Sequence, residues 1–214
     1  MKKNFINLLI ILTAMVTQSC SAKSEVGYYK GYEIPSYKVI KQVGDAEFRE
    51  YESSLVAEVE VDGDRKEAAK EGFMTLARYI FGKNISKKKV AMTSPVSQEE
   101  ISEKVAMTTP VNQISEGKSK WRIQFGMPKQ YKLENLPVPK DDRIKFKIIE
   151  PKRVIAIRFS GLWSDKKFNE KKEELSRFAA DHKISTKGLP ALSYYDDPFT
   201  FPWNRRNEII WEIQ

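Results

Sequence analysis

The chain has one cysteine, Cys20, and one histidine, His182, in 214 residues. A lone cysteine excludes an internal disulfide, so the core must hold by packing. One histidine with no cysteine cluster rules out the usual four-ligand zinc site, and the place of Cys20 at the end of an export-type N-terminal segment argues against a Cys–His nucleophile pair. Phosphate-cradling loops and dinucleotide fingerprints are also missing. The adjacent carboxylates Asp141-Asp142 and Asp196-Asp197 are by themselves weak signals of acid–base chemistry. The chain therefore reads as a binding protein, not an enzyme. Long apolar runs are lacking too. Residues 5–16 are mostly apolar, but a helix needs roughly 20 such residues to span a bilayer. Charge of one sign is only modestly in excess: 37 Lys and Arg face 29 Asp and Glu, a formal charge of +8. That suits an anionic surface or ligand and does not describe a nucleic-acid platform.

What is present begins at the N-terminus. Lys2 and Lys3 precede the apolar run, which ends at Thr17-Gln18-Ser19-Cys20. This is the pattern of a secretory signal. Cys20 stands directly behind a small residue, where a bacterial lipoprotein signal is cut, although Thr17 and Gln18 depart from the usual lipobox. The expectation is a signal peptide over 1–19 and a lipid on Cys20; ordinary secretion with a free thiol is the other reading. Ser21 resembles the sorting residue of outer-membrane lipoproteins, so an exported protein held on the outer membrane and facing the periplasm is expected. Removal of 1–19 would leave a formal charge of +6. Residues 20–36 are small and polar with several tyrosines and read as a tether. A single domain is expected over 37–214.

Within that domain, "LVAEVEV" at 55–61 alternates as a strand, with Leu55, Ala57, Val59 and Val61 on one face. Asp62-Gly63-Asp64 offers a break and a helix cap. Residues 65–81 carry Ala69, Phe73, Leu76, Ala77 and Ile80 at helical spacing, and Gly82 follows where helices end. The order then recurs. Two strands are expected around a turn at Pro151-Lys152, a charged helix over 164–181, and strands near 191–196 and 207–213. "LVAEVEVDG" before the first helix mirrors "VIAIRFSG" before the second. The chain reads as two similar halves joined by the Pro- and Lys-rich residues 129–140.

Two heptapeptides, "VAMTSPV" at 90–96 and "VAMTTPV" at 105–111, are nearly identical. Two short antiparallel strands around a polar loop are expected, each ending near its proline, with Met92 and Met107 pointing the same way. Methionine suits an adaptable apolar pocket and equally a plain core.

These heptapeptides, followed by "WRIQFGMPKQY", "LPVPKDDRI", "VIAIRFSG" and "YYDDPFTFPWNRRNEIIWEI", occur in the order seen in the SOUL haem-binding family, which the chain resembles from about Tyr37 to its end. The resemblance implies an α+β fold, a pseudo-twofold duplicated and distorted antiparallel β-barrel with two flanking α-helices. It also implies a shallow apolar cleft for haem b or another tetrapyrrole, held non-covalently by a carrier, buffer or scavenger. The same fold resembles effector-binding domains, so a module for a non-haem small ligand or a protein is the alternative.

In members of that family, apolar residues and a basic residue of the first helix face the ligand. The matching turns carry Lys70, Phe73, Met74 and Ala77. Lys70 is placed to pair with a propionate or to be solvated. Phe73 and Met74 are placed to lie on the ring, or Phe73 and Ala77 to pack on the sheet. Ala77 is smaller than the residue some members carry there. His182, Met92 and Met107 are the candidate axial ligands; a histidine at a helix end also serves as a cap. Arg205, Arg206 and Glu208, beside Asp196 and Asp197, are expected to form a network that fixes the last strand, with ligand binding as the other role.

Overall fold

The computed structural model describes residues 24–25, 27–87 and 101–214. Among these residues, nine strands of five or more residues and two α-helices follow one another. β1 spans Tyr37–Val43, β2 Ala46–Tyr51 and β3 Ser54–Asp62. Helix α1, Arg65–Ile80, comes next, then β4 Val111–Gly117 and β5 Lys120–Gly126. The second half comprises β6 Lys145–Ile149, β7 Lys152–Phe159, α2 Asp165–Asp181, β8 Thr186–Tyr194 and β9 Asn207–Ile213.

Local chemistry explains both helices. Asp64 caps α1 by accepting from the backbone N–H groups of Lys66 at 2.8 Å and Glu67 at 2.9 Å. Gly82, at φ +110°, lets the chain leave the helix. Ser164 caps α2. The alternation in β3 holds: Ala57, Val59 and Val61 are buried in the core under α1.

The strands run β1-β2-β7-β9-β8-β4-β5-β3-β6 in one antiparallel, curled sheet. Ser24–Glu25 adds a short tenth strand beside β1. Each half contributes three consecutive strands, β3, β4 and β5 or β7, β8 and β9, with β4 and β8 paired at the centre. The strands around Pro151 exist, but they do not form a hairpin. β6 leaves its sequence neighbour and pairs with β3; β2 likewise leaves β3 and pairs with β7. The leading strand of each half thus completes the other half. This arrangement is the pseudo-twofold duplicated barrel expected from the sequence.

Three expectations need revision. Residues 27–36, assigned to the tether, are folded onto the domain. Ile34 and Tyr37 share a buried cluster with Tyr195, and the Tyr29 hydroxyl donates to Asp196 at 3.1 Å. Small polar composition hid these partners, which are more than 160 residues away. Residues 129–140 are more than a join, because Leu136 is fully buried and Tyr79 donates to the Pro137 carbonyl at 3.1 Å. The second heptapeptide enters a strand only at Val111. Its earlier residues divide their hydrogen bonds among three elements: Val105 N–H to Ile80 O, the Thr108 hydroxyl to Gly126 O, and Thr109 N–H to Glu33 O. A segment that stitches three neighbours cannot follow one ladder. The first heptapeptide lies outside the described residues.

The helices pack on separate cores, α1 over Ile123 and Phe125, α2 over Ile155 and Ile209. Their N-termini meet at buried Arg65. It donates to Asp165 at 2.5 Å, to the Tyr194 hydroxyl at 2.8 Å and to the Trp163 carbonyl at 3.1 Å. Midway along α1, Gly72 sits so close to β5 that an added Cβ would lie 2.2 Å from Ile123 Cγ1. Gly72→Ala should therefore destabilise the fold, despite a gain of about 1 kcal/mol in helix propensity. Overpacking of about 1–3 kcal/mol is expected to prevail and lower the melting temperature. A melt at or above wild type would refute the close approach.

Candidate functional site

The helical register determines which candidates share a surface. α1 turns its buried face, with Ala68, Gly72, Leu76 and Ile80, to the sheet. Lys70, Phe73 and Met74 occupy an outward flank. Lys70 is exposed, Met74 is 44% exposed, and Phe73 is partly buried with its ring 5.4 Å from that of Phe125. Ala77 continues the row but is covered, only 4% exposed, and belongs to the core. Met107 packs from the side against the same core. The structure thus brings Lys70, Phe73 and Met74 onto one flank: a cation at the end of a partly open apolar strip. This composition fits a flat apolar ligand with carboxylate arms.

His182 does not join them. It forms the C-cap of α2, on the other half of the sheet. Its ring stacks on Phe178 at 4.2 Å and Nδ1 lies 3.0 Å from the Phe178 carbonyl. Met92 and Cys20 lie outside the described residues. Among the described residues there is no cluster of three metal-ligating side chains, and no helix is long and apolar enough to cross a membrane.

A concavity of about 380 Å³ is lined by none of Lys70, Phe73 and Met74. Ile34, Leu55, Met127 and Ile148 give it apolar walls, with Glu33 and Lys129 among its polar residues. Lys129 is fixed by its backbone N–H donating to Glu33 at 3.0 Å and its ammonium to Ser36 at 2.5 Å. Near its rim Tyr131 donates to Glu103 at 2.8 Å. Burial first, then that carboxylate, pushes the Tyr131 phenol up to about 12. No sequence signal marked this cavity, because its walls come from five separate stretches of the chain.

Within the C-terminal motif, Glu208 is the centre of a buried network. Glu208 is fully buried and receives five hydrogen bonds. Arg49 approaches both oxygens, at 2.6 and 3.1 Å; Arg206 donates at 2.9 Å, Arg158 at 3.3 Å and the Tyr195 hydroxyl at 3.1 Å. Asp196 accepts from Lys30, Tyr29 and the Arg206 backbone, while Asp197 caps its own loop. Arg205 meets carbonyls rather than the aspartates. The network expected around Glu208 is therefore present. Its main partner, Arg49, lies 159 residues away and was not visible in the motif.

The profile of the family described as "SOUL heme-binding protein" matches residues 32–212. The chain belongs to the SOUL family. Heme-binding protein 1 of Xenopus laevis is 28% identical over 177 residues, covering 78% of this chain and 83% of that protein. Its Xenopus tropicalis namesake is 29% identical over 170 residues, with the same coverage. The C-terminal domain of EcmrR shares the fold at a TM-score of 0.57 and 11% identity, over 79% of this chain and 96% of that one. A structure titled as a hydrolase from Listeria innocua does so at 0.51 and 14%, over 82% and 94%. These two likenesses concern the fold alone.

For this SOUL member, the buried charge network has a testable pH signature. Burial alone would raise the Glu208 carboxyl, but the Arg49 guanidinium, then Arg206 and Arg158, hold it below its ordinary 4.5. A depressed carboxyl stabilises the fold above its unfolded pKa, and that contribution is lost as pH falls through the folded value. Glu208→Gln should cost about 3–5 kcal/mol near neutral pH, because Arg49 and Arg206 lose their fully buried counter-charge and Arg49 keeps only the part-exposed Glu47 at 2.8 Å. The melting temperature should drop by roughly 10 °C, and the decline below about pH 4.5 should be shallower than in wild type. Melts from pH 3 to 7, on the order of the carboxylate range, would show it. Equal stability of the variant at neutral pH would refute the assignment.

Proposed function

We propose that the protein binds haem or a related porphyrin on the outward flank of α1 and acts as a carrier, buffer or scavenger, not as an enzyme. The observation that carries this reading is the grouping of Lys70, Phe73 and Met74 in a chain of the SOUL family. Phe73 and Met74 would lie on the macrocycle, and Lys70 would pair with a propionate. Ala77 would support them from within the core, and Met107 would bound the strip. Bound haem would supply an iron centre. His182, at the far end of the other helix, is not part of the proposed apolar strip.

The proposal extends to location. Residues 1–19 would be removed on export, Cys20 would carry the lipid, and the tether would be short, since the chain is folded from Gly27 onward. The domain would then face the periplasm from the outer membrane. Cys20→Ser should abolish palmitate labelling and release the protein from membranes. Unchanged retention of that variant would refute the anchor.

Haemin titration tests the ligand. A saturable one-to-one Soret shift is expected. Lys70→Glu should weaken it about threefold or more, the scale of an exposed ion pair reversed in sign. Met74→Asp should weaken it about tenfold by putting a like charge against the ring and propionates. Both positions are exposed, so folding should survive. Unchanged affinity in both variants would remove the α1 site. The cavity beside Met127 favours a second reading, a non-haem apolar ligand, which would appear as thermal stabilisation without a Soret shift.

A further inference from the structure

One surface lies outside both the α1 flank and the cavity. The loop between β8 and β9 exposes Phe199 at 94%, Phe201 at 62% and Trp203 at 69%, and the neighbouring turn exposes Leu162 at 63%. Four large apolar side chains in water make a patch of the kind that marks a contact site.

Several hydrogen bonds hold the loop in this posture. Asp197 accepts from the backbone of Phe199 at 2.7 Å and of Thr200 at 2.9 Å. Arg205 clamps it from the other side, donating to the Thr200 carbonyl at 2.8 Å and the Pro198 carbonyl at 2.7 Å, with its guanidinium 4.6 Å from the Trp163 ring centroid. Gly161 N–H donates to the Pro202 carbonyl at 2.8 Å, joining the Leu162 turn to the loop. Phe201 and Trp203 stack face to face, centroids 4.9 Å apart.

Trp203 also differs from the other three tryptophans. Trp121, Trp163 and Trp211 each donate their indole N–H within the protein. Among the described residues, no acceptor for Trp203 is found. A ring with an apolar body and an outward N–H suits the boundary between acyl chains and headgroups.

The N-terminal end of the folded chain meets this loop. Lys30 donates to the Asn204 carbonyl at 3.2 Å and to Asp196 at 2.5 Å. Ser24 already pairs with β1, so the four steps back to Cys20 span at most about 14 Å. A lipid on Cys20 would keep this end of the molecule within reach of the bilayer. Lys30 and Asp196 pair beside the loop and Asp197 lies within it, so aromatic area rather than charge supplies the attraction.

We infer that Leu162, Phe199, Phe201 and Trp203 form a membrane-docking surface that inserts into the bilayer interface and fixes the orientation of the tethered domain. The inference rests on the membrane attachment proposed above. A single lipid anchor leaves a domain free to tumble, whereas a second contact fixes its orientation.

The test uses the full, lipid-processed chain on vesicles of phosphatidylethanolamine and phosphatidylglycerol with brominated acyl chains. Tryptophan emission should be quenched, and the quenching should be lost in Trp203→Phe, which keeps the patch but removes the reporter. Phe199→Ser combined with Phe201→Ser should also abolish the quenching while leaving the protein on the vesicles and its thermal melt unchanged. Vesicle-bound protein with an unquenched Trp203 would overturn the docking surface and leave the anchor intact. Protein remaining in the supernatant would overturn both. A lipid-independent dimer that shields Trp203 would assign the patch to a second copy and overturn it as well.

Discussion

Glu208 carries its negative charge where water does not reach. Desolvating a carboxylate costs several kcal/mol even after relaxation, so the site exists only if cations converge on it. They come from three neighbouring strands: Arg49 from β2, Arg158 from β7, and Arg206 from the run into β9. Correct pairing of these strands is therefore enforced electrostatically. A slip of one residue would turn a guanidinium out of the interior and strand the carboxylate. The tyrosines around the knot complete it. Arg49 stacks on Tyr37 at 4.5 Å and Arg206 on Tyr195 at 4.0 Å, and burial pushes the neighbouring Tyr51 phenol up to about 12. Arg49 spends its remaining donors on Glu47 at 2.8 Å and the Tyr51 hydroxyl at 3.2 Å.

That constraint clarifies what a reader of the sequence sees and does not see. Local signals were faithful. Asp64 caps the first helix, Gly82 ends it, and the alternation of 55–61 puts Ala57, Val59 and Val61 in the core. The duplication was legible because "LVAEVEVDG" and "VIAIRFSG" occupy equivalent strands. The exchange of β2 and β6 was not legible, since pairing partners across 100 residues leave no local mark. Arg65 illustrates the same limit. It looks like one more charge at the start of a helix, yet it is buried and joins both helix N-termini. Gly72 carries no turn signal, and only the 2.2 Å approach to Ile123 reveals its purpose.

The candidate site divides along similar lines. Helical spacing put Lys70, Phe73 and Ala77 on one face, with Met74 beside them. It could not separate Ala77 from them; that residue is covered by neighbours from elsewhere in the chain. His182 drew notice through rarity, a property of composition and not of position. The aromatic loop presented the opposite case. Its motif supported the family resemblance, but nothing in the letters distinguished the buried Glu208 from the exposed Phe199 nine residues earlier.

The strand exchange carries one more consequence. Each half of the sheet is finished by a strand whose covalent neighbours belong to the other half, so neither half can loosen without opening an edge of its twin. The molecule cannot work as a pair of jaws. It should lose its structure in one cooperative step, with no state in which half the sheet survives. A compound seated anywhere on one half would raise the melting point of both.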